Sequence, residues 1–213
     1  MSVNIKNDPA STAKKEFLDN NIFTMQTIQI SPFRTLIAAL KDILVETDLV
    51  ISPSGIKITS MDKTQNILVH LSLKAEKFEV FECKRDKIIV TLNMFHLYRV
   101  INSIDSNDTL TMYIMKDDYN EGIVTYLSFN FENDKIKQSN TQQLKLIDTA
   151  TEEINYPDVT FSTIINLPTN DFQKIIRDFA GLCGDKVKIK SVGGELIFTC
   201  VGAFASSTLK RSE

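Results

Sequence analysis

The sequence predicts an α+β fold built from a duplicated, strand-rich module, and two patterns carry that prediction. The first is residues 28–62, which read as a strand, an amphipathic helix, a turn and a hairpin. Its helix, from Ser31 to about Leu44, sets Phe33, Leu36, Ile37, Leu40 and Leu44 on one stripe at spacings of three and four, with Arg34, Ala38 and Lys41 on the other side. The second pattern is the return of the first. Phe172, Ile175, Ile176 and Phe179 stand 139 residues after Phe33, Leu36, Ile37 and Leu40, and an internal repeat governs the reading of everything around it.

Residues 1–22 lack the apolar core of a secretory signal and read as a polar N-terminal tail with a helical turn around Lys14–Leu18. Alternation over Phe23–Gln29 predicts a strand. Ser31 is the expected N-cap and Pro32 suits the first helical position. Thr47-Asp48 is expected to turn the chain into Leu49–Ile51, and Pro53-Ser54-Gly55 to turn it again into Ile56–Ser60. Ile67, Val69, Leu71 and Leu73 share a face of the next strand, and strands follow near 78–81 and 87–92. A second helix over about Asn93–Ser103 has Leu97, Val100 and Ile101 on one side, Arg99 and Asn102 on the other. Leu110, Met112 and Ile114, then Leu127, Phe129 and Phe131, alternate as two further strands and complete a module over 23–133.

Residues 134–160 change character. A strand-like run at Lys145–Asp148 precedes an acidic connector at Thr149–Asn155, closed by Tyr156-Pro157. From Phe161 the opening pattern restarts, with a helix over Phe172–Leu182, a turn at Gly184-Asp185 matching Thr47-Asp48, and strands Val187–Lys190 and Leu196–Val201 around Gly193-Gly194. This second module, 161–213, holds one helix where the first holds two. It is therefore expected to be incomplete and to continue in a longer protein.

A chain of 213 residues with 43% hydrophobic content holds cores for one or two domains. The formal net charge of −3 argues against a general nucleic-acid binder, so any such contact must come from basic residues gathered on one surface. No apolar run is long enough to cross a membrane as a helix. Cys83, Cys183 and Cys200 form no C-x-x-C pair and read as reduced, mostly buried thiols of an intracellular protein. Convergent catalytic groups are missing from the pattern. His70 lies in an alternating strand and His96 near a helix start, without neighbours at ligand spacing, and neither glycine-rich phosphate loop is present. Asp117-Asp118 and Glu152-Glu153 read as a solvated turn and part of the connector. The sequence thus predicts a binding protein without enzyme activity, metal or cofactor.

Several stretches in register carry a family resemblance: ALKDIL at 39–44, SPSGIKITSMDKTQNILVHLSL at 52–73, KLIDTATEEINYPD at 145–158 and LPTNDFQKIIRDF at 167–179. Together they resemble the proliferating cell nuclear antigen family of DNA sliding clamps, over roughly Phe23–Leu209. The resemblance implies a DNA-clamp fold with helices on one face of each module. It also implies a homotrimeric ring around double-stranded DNA that serves as a processivity factor for DNA polymerase, tethers other peptide-motif proteins for replication and repair, and is opened by a clamp loader. The compartment implied is the nucleus, or a viral replication compartment for a viral chain. A checkpoint-type heterotrimeric clamp subunit and a monomeric clamp-like factor are the alternatives.

A sliding protein must hold phosphates without reading bases, which calls for Lys and Arg spread over a smooth surface. Carried onto this sequence, that lining is Arg34 and Lys41 in the first helix, Arg85 on a loop, Arg99 in the second helix, and Lys174 and Arg177 in the third. Thr35, Asn102 and Gly181 stand where family members often carry basic or polar groups. The resemblance places a pocket for partner peptides at Met61, Gln65, Leu68, Ile154, Tyr156 and Pro157, with Gln65 and Asn66 replacing a typical His and an aliphatic residue. It places the subunit interface on an edge strand near Gln142–Ile147, through Gln142, Leu144 and Leu146, against Ser207 and Leu209 of the next subunit.

Overall fold

Strand alternation and helix stripes resolve into two units, Met1–Pro157 and Asp158–Glu213. The computed structural model describes residues 9–105, 108–148, 160–161, 163–182 and 186–212. The first unit runs α1 (Pro9–Asn20), β1 (Asn21–Thr27), α2 (Ile30–Ile43), β2 (Glu46–Ser52), β3 (Gly55–Met61), β4 (Leu68–Lys74), β5 (Val80–Cys83), β6 (Ile88–Asn93) and α3 (Met94–Asn102). It continues with β7 (Thr109–Met115), a two-residue hairpin β8 (Tyr119–Asn120) and β9 (Ile123–Val124), β10 (Tyr126–Asn133) and β11 (Gln138–Lys145). The second unit comprises α4 (Thr169–Leu182), β12 (Val187–Val192), β13 (Glu195–Val201) and β14 (Ser206–Ser212).

The first unit stacks a five-stranded sheet, β11-β10-β7-β1-β5, and a four-stranded sheet, β4-β3-β2-β6, all antiparallel. Inward-pointing Phe23, Met25, Met112, Phe129, Ile51, Ile58 and Val90 meet Ile37 and Leu40 of α2 and Leu97 and Ile101 of α3 in one core. Alternate residues therefore face away from the core on every strand. In the second unit a three-stranded sheet, β12-β13-β14, packs Phe198 and Cys200 on Ile175 and Phe179 of α4. Each unit thus has a helix against a sheet, as the repeat predicts.

Several local expectations change. The polar tail expected over 1–22 is, from Pro9 on, a helix. PASTAKKEFLDN combines a proline at the first helical position with good helix formers, and β1 starts at Asn21, with Asn21 and Ile22 both buried. Ser31 is not the cap of α2; Gln29 is, without a side-chain bond, and Ser31 lies inside the helix with its carbonyl accepting the Thr35 hydroxyl. Thr47 and Asp48 form no turn. Leu44 ends α2 in an extended conformation and the chain enters β2 directly, with Thr47 buried. Gly184-Asp185 lies outside the described residues. Ile67 leaves the stripe of Val69, Leu71 and Leu73, because it belongs to the loop before β4 and is exposed. Phe172 is 41% exposed, so the apolar stripe of α4 narrows to Ile175, Ile176 and Phe179.

Gly55 opens β3 at φ 140°, and a Cβ there would meet the Leu73 carbonyl oxygen at 2.0 Å. The tight approach of β4 to the β2–β3 turn therefore requires a residue without a side chain.

Candidate functional site

On α2 the stripe Arg34, Ala38 and Lys41, expected to be the outward positive face, lies against α3. The Arg34 guanidinium donates to the Ile104 carbonyl just beyond α3, and its Nε is buried. Lys41 Nζ sits 4.9 Å from the centre of the Tyr98 ring and bonds Asp42 at 2.6 Å, its side chain only 25% exposed. The hydrogen bond to Asp42 raises the Lys41 pKa, against a smaller desolvation effect. The cause is geometric. Positions 34, 38 and 41 share one line on a helix, and that line is where α3 packs. The solvent side of α2 carries Thr35, Ala39, Asp42 and Ile43 instead.

The remaining basic positions are exposed: Arg99 beside Phe95, His96 and Asn102 on α3, and Lys174 and Arg177 on α4. Arg177 Nε donates to the Gln173 carbonyl one turn back. Arg85 lies on the loop after β5 with its guanidinium 5.4 Å from the centre of the Tyr119 ring. The repeat offset sets Lys174 against Thr35 and Arg177 against Ala38. Lys174 thus falls on the solvent side of α2 and Arg177 on its covered line; Arg177 is nonetheless exposed, because among the described residues the second unit has no second helix to cover that line.

Met61 and Leu68 are paired at the loop end of the β3–β4 hairpin, on the side away from the core, and are 40% and 38% exposed. Between them, Asp62 builds the loop. Its carboxylate accepts the Thr64 hydroxyl, the Thr64 N–H at 3.1 Å, the Asn66 N–H at 2.8 Å and the Ile67 N–H at 2.7 Å. These bonds, the Thr64 hydroxyl foremost, pull its pKa down to about 2. Held this way, the loop tolerates Gln65 at φ 57° and presents Ile67 next to Met61 and Leu68. Asp62 and Ile67 are additions to the residues expected from the sequence. An Asp followed two positions on by Thr signals an Asx turn, and Ile67 directly after that turn cannot hold strand alternation. Ile154, Tyr156 and Pro157 lie outside the described residues.

β11 is the last strand of the five-stranded sheet, and β14 is the last of the three-stranded sheet. Leu144 and Leu146, expected at a subunit surface, are 8% and 9% exposed and belong to the core. They alternate inward, and Ile147 bridges to Thr91 across to the other sheet. Gln142 is half-buried and bonds the Ser103 hydroxyl through its amide. What β11 offers outward is its backbone edge. On β14, Ser207 is half-buried, Leu209 packs on the small core, and Arg211 bonds Asp171 at 2.6 Å.

Among the described residues, no three His, Cys, Asp or Glu side chains converge as metal ligands. His70 Nδ1 pairs with the Thr59 hydroxyl at 3.0 Å, and burial with the neighbouring Asp117 raises the Asp118 pKa in a surface turn.

Residues 22–153 match the sequence profile of the family described as proliferating cell nuclear antigen, N-terminal domain. A probable DNA polymerase sliding clamp 1 of Paramecium bursaria Chlorella virus 1 is 33% identical over 192 residues, which is 88% of this chain and 71% of that protein. The crystal structure of the proliferating cellular nuclear antigen from Entamoeba histolytica superposes with a TM-score of 0.80 at 23% identity. That match covers 91% of this chain and 75% of the other, a likeness of fold.

Proposed function

The chain belongs to the proliferating cell nuclear antigen family and is a DNA sliding clamp, a processivity factor and not an enzyme; from that premise we propose how its surfaces divide the work. DNA and a DNA polymerase are its partners. Arg99, Lys174 and Arg177, with Arg85 on its loop, supply loose, salt-sensitive attraction to phosphates. Arg34 and Lys41 act mainly by fixing α2 against α3. The exposed group Met61, Ile67 and Leu68 receives the apolar turn of a partner peptide, together with Ile154, Tyr156 and Pro157. Three copies close head to tail, with the β11 edge of one pairing with the β14 edge of the next, and a separate loader opens the ring. The site of action is a nuclear or viral replication compartment.

The observation that carries the ring is that, among the described residues, each unit ends in a strand with an unpaired edge, β11 in one sheet and β14 in the other. Exposed edges invite pairing, and a heterologous contact that closes gives a ring without free edges. Light scattering on the protein at micromolar concentration tests this. A trimer that slides off linear DNA but stays on a circle is expected, and a stable monomer under the same conditions would reject the ring.

A further inference from the structure

The family match begins at residue 22, so α1 lies outside it. Yet α1 is docked. Phe17 meets Tyr113 edge to face with ring centres 5.0 Å apart, and Lys84 Nζ caps the helix by donating to the carbonyls of Leu18 and Asp19. Thr24, Tyr113 and Ser128 form one row across the five-stranded sheet on the side away from the core, and all three are buried. Burial raises the Tyr113 pKa, opposed in part by its hydrogen bond with Ser128. A polar sheet face buried without core contact requires a cover, and α1 supplies it.

The next row of the same face is Val80–Gln26–Thr111–Asn130, running across β5, β1, β7 and β10. Beside α1 it forms the floor of a groove of about 430 Å³, walled by Phe17 and Leu18 and flanked by Glu132. The floor is a built array. Gln26 Nε2 donates to the Thr111 hydroxyl at 3.2 Å, Asn130 Nδ2 to Glu132 at 2.9 Å, and the Ser139 and Thr141 hydroxyls both donate to Asn130 Oδ1. Four strands span about 14 Å at the usual strand spacing, room for about four extended residues.

We propose that this groove is a docking site for a short extended segment of a partner protein carrying one lysine or arginine. Among the described residues, Glu132 is the one charged side chain lining the groove, at its β10 end, and Val80 lies at the β5 end. A basic residue of the segment pairs with Glu132, its apolar residue sits toward Val80 against Phe17 and Leu18, and its peptide groups meet the hydroxyl and amide floor. The segment crosses the strands, so it adds no strand to the sheet. The site is separate from the Met61–Leu68 surface and stands whether or not that surface binds peptide.

The test is an amide-resolved NMR titration of the full chain with the blocked tetrapeptide acetyl-Val-Ser-Gly-Arg-amide and its counterpart with citrulline for arginine. Shifts at Phe17, Thr111 and Asn130 are expected, with the arginine peptide about three- to fivefold tighter, as a solvent-accessible ion pair gives. Glu132→Gln, which keeps the shape, should erase that preference, and removal of residues 1–20 should abolish binding of both peptides. Unshifted groove amides, an arginine preference that survives Glu132→Gln, or full affinity without α1 would each overturn the proposal.

Discussion

The guanidinium of Arg34 donates to the backbone carbonyl of Ile104, 70 positions further along the chain, and so joins α2 to the end of α3. With Lys41 over the Tyr98 ring, it turns a stripe of basic residues into a helix–helix contact. The consequences for DNA binding and for stability then separate.

Arg34→Met should cost about 1.5–3 kcal/mol, because a charged donor is removed and the Ile104 carbonyl is left without it. The salt dependence of DNA association should stay nearly as it was. Replacing Arg99, Lys174 and Arg177 together by glutamine should instead lower the salt slope by about one unit for each phosphate no longer engaged. Urea unfolding and binding isotherms at several salt concentrations separate the two; an unchanged slope in the triple variant counts against those residues as the phosphate surface.

Met61→Gln with Leu68→Gln should remove affinity for an apolar partner peptide while stability falls by no more than about 1 kcal/mol, since both side chains are exposed and only one cross-strand pair is changed. Calorimetric titration with a peptide bearing the family's hydrophobic turn reads the first effect, and retained affinity places the pocket elsewhere.

Asp62 should make the 62–67 loop acid-sensitive. Its folded pKa, about 2, lies below the ordinary value of 3.8. The stabilisation is therefore complete above the ordinary value and is lost as pH falls through about 2. Amide exchange at Asn66 and Ile67, compared with that of β3 after correction for intrinsic rates, should rise across that window. Asp62→Ala should show the raised exchange already at neutral pH.

Gly55→Ala should destabilise the first unit by at least about 1–3 kcal/mol, because an L side chain at φ 140° is strained and its Cβ strikes the Leu73 carbonyl. A midpoint matching the parent chain in denaturant would show that β4 can give way.

Leu144→Ala and Leu146→Ala should each cost about 2–5 kcal/mol in the isolated subunit, as core truncations do. Residues serving only subunit contact would leave the monomer's stability alone, so a stable monomer with impaired association would restore them to the interface.

Helices at 30–43, 94–102 and 169–182 and most of the strands were legible because each buries one stripe or one face, and burial leaves a period in the sequence. The repeat was legible for the same reason. Helix α1 was legible only as a turn around Lys14–Leu18, because its apolar surface is little more than Phe17 and Leu18, too small to leave a longer period. The sequence alone determined the α+β architecture, the family and the residue types available at each surface. Tertiary structure decided which basic residues meet solvent and which leucines of β11 and its extension point inward. A helix has several non-apolar lines, and only the position of its neighbour selects the one that is covered. For the same reason Arg34 and Lys41 belong to packing, while Arg99, Lys174 and Arg177 remain exposed.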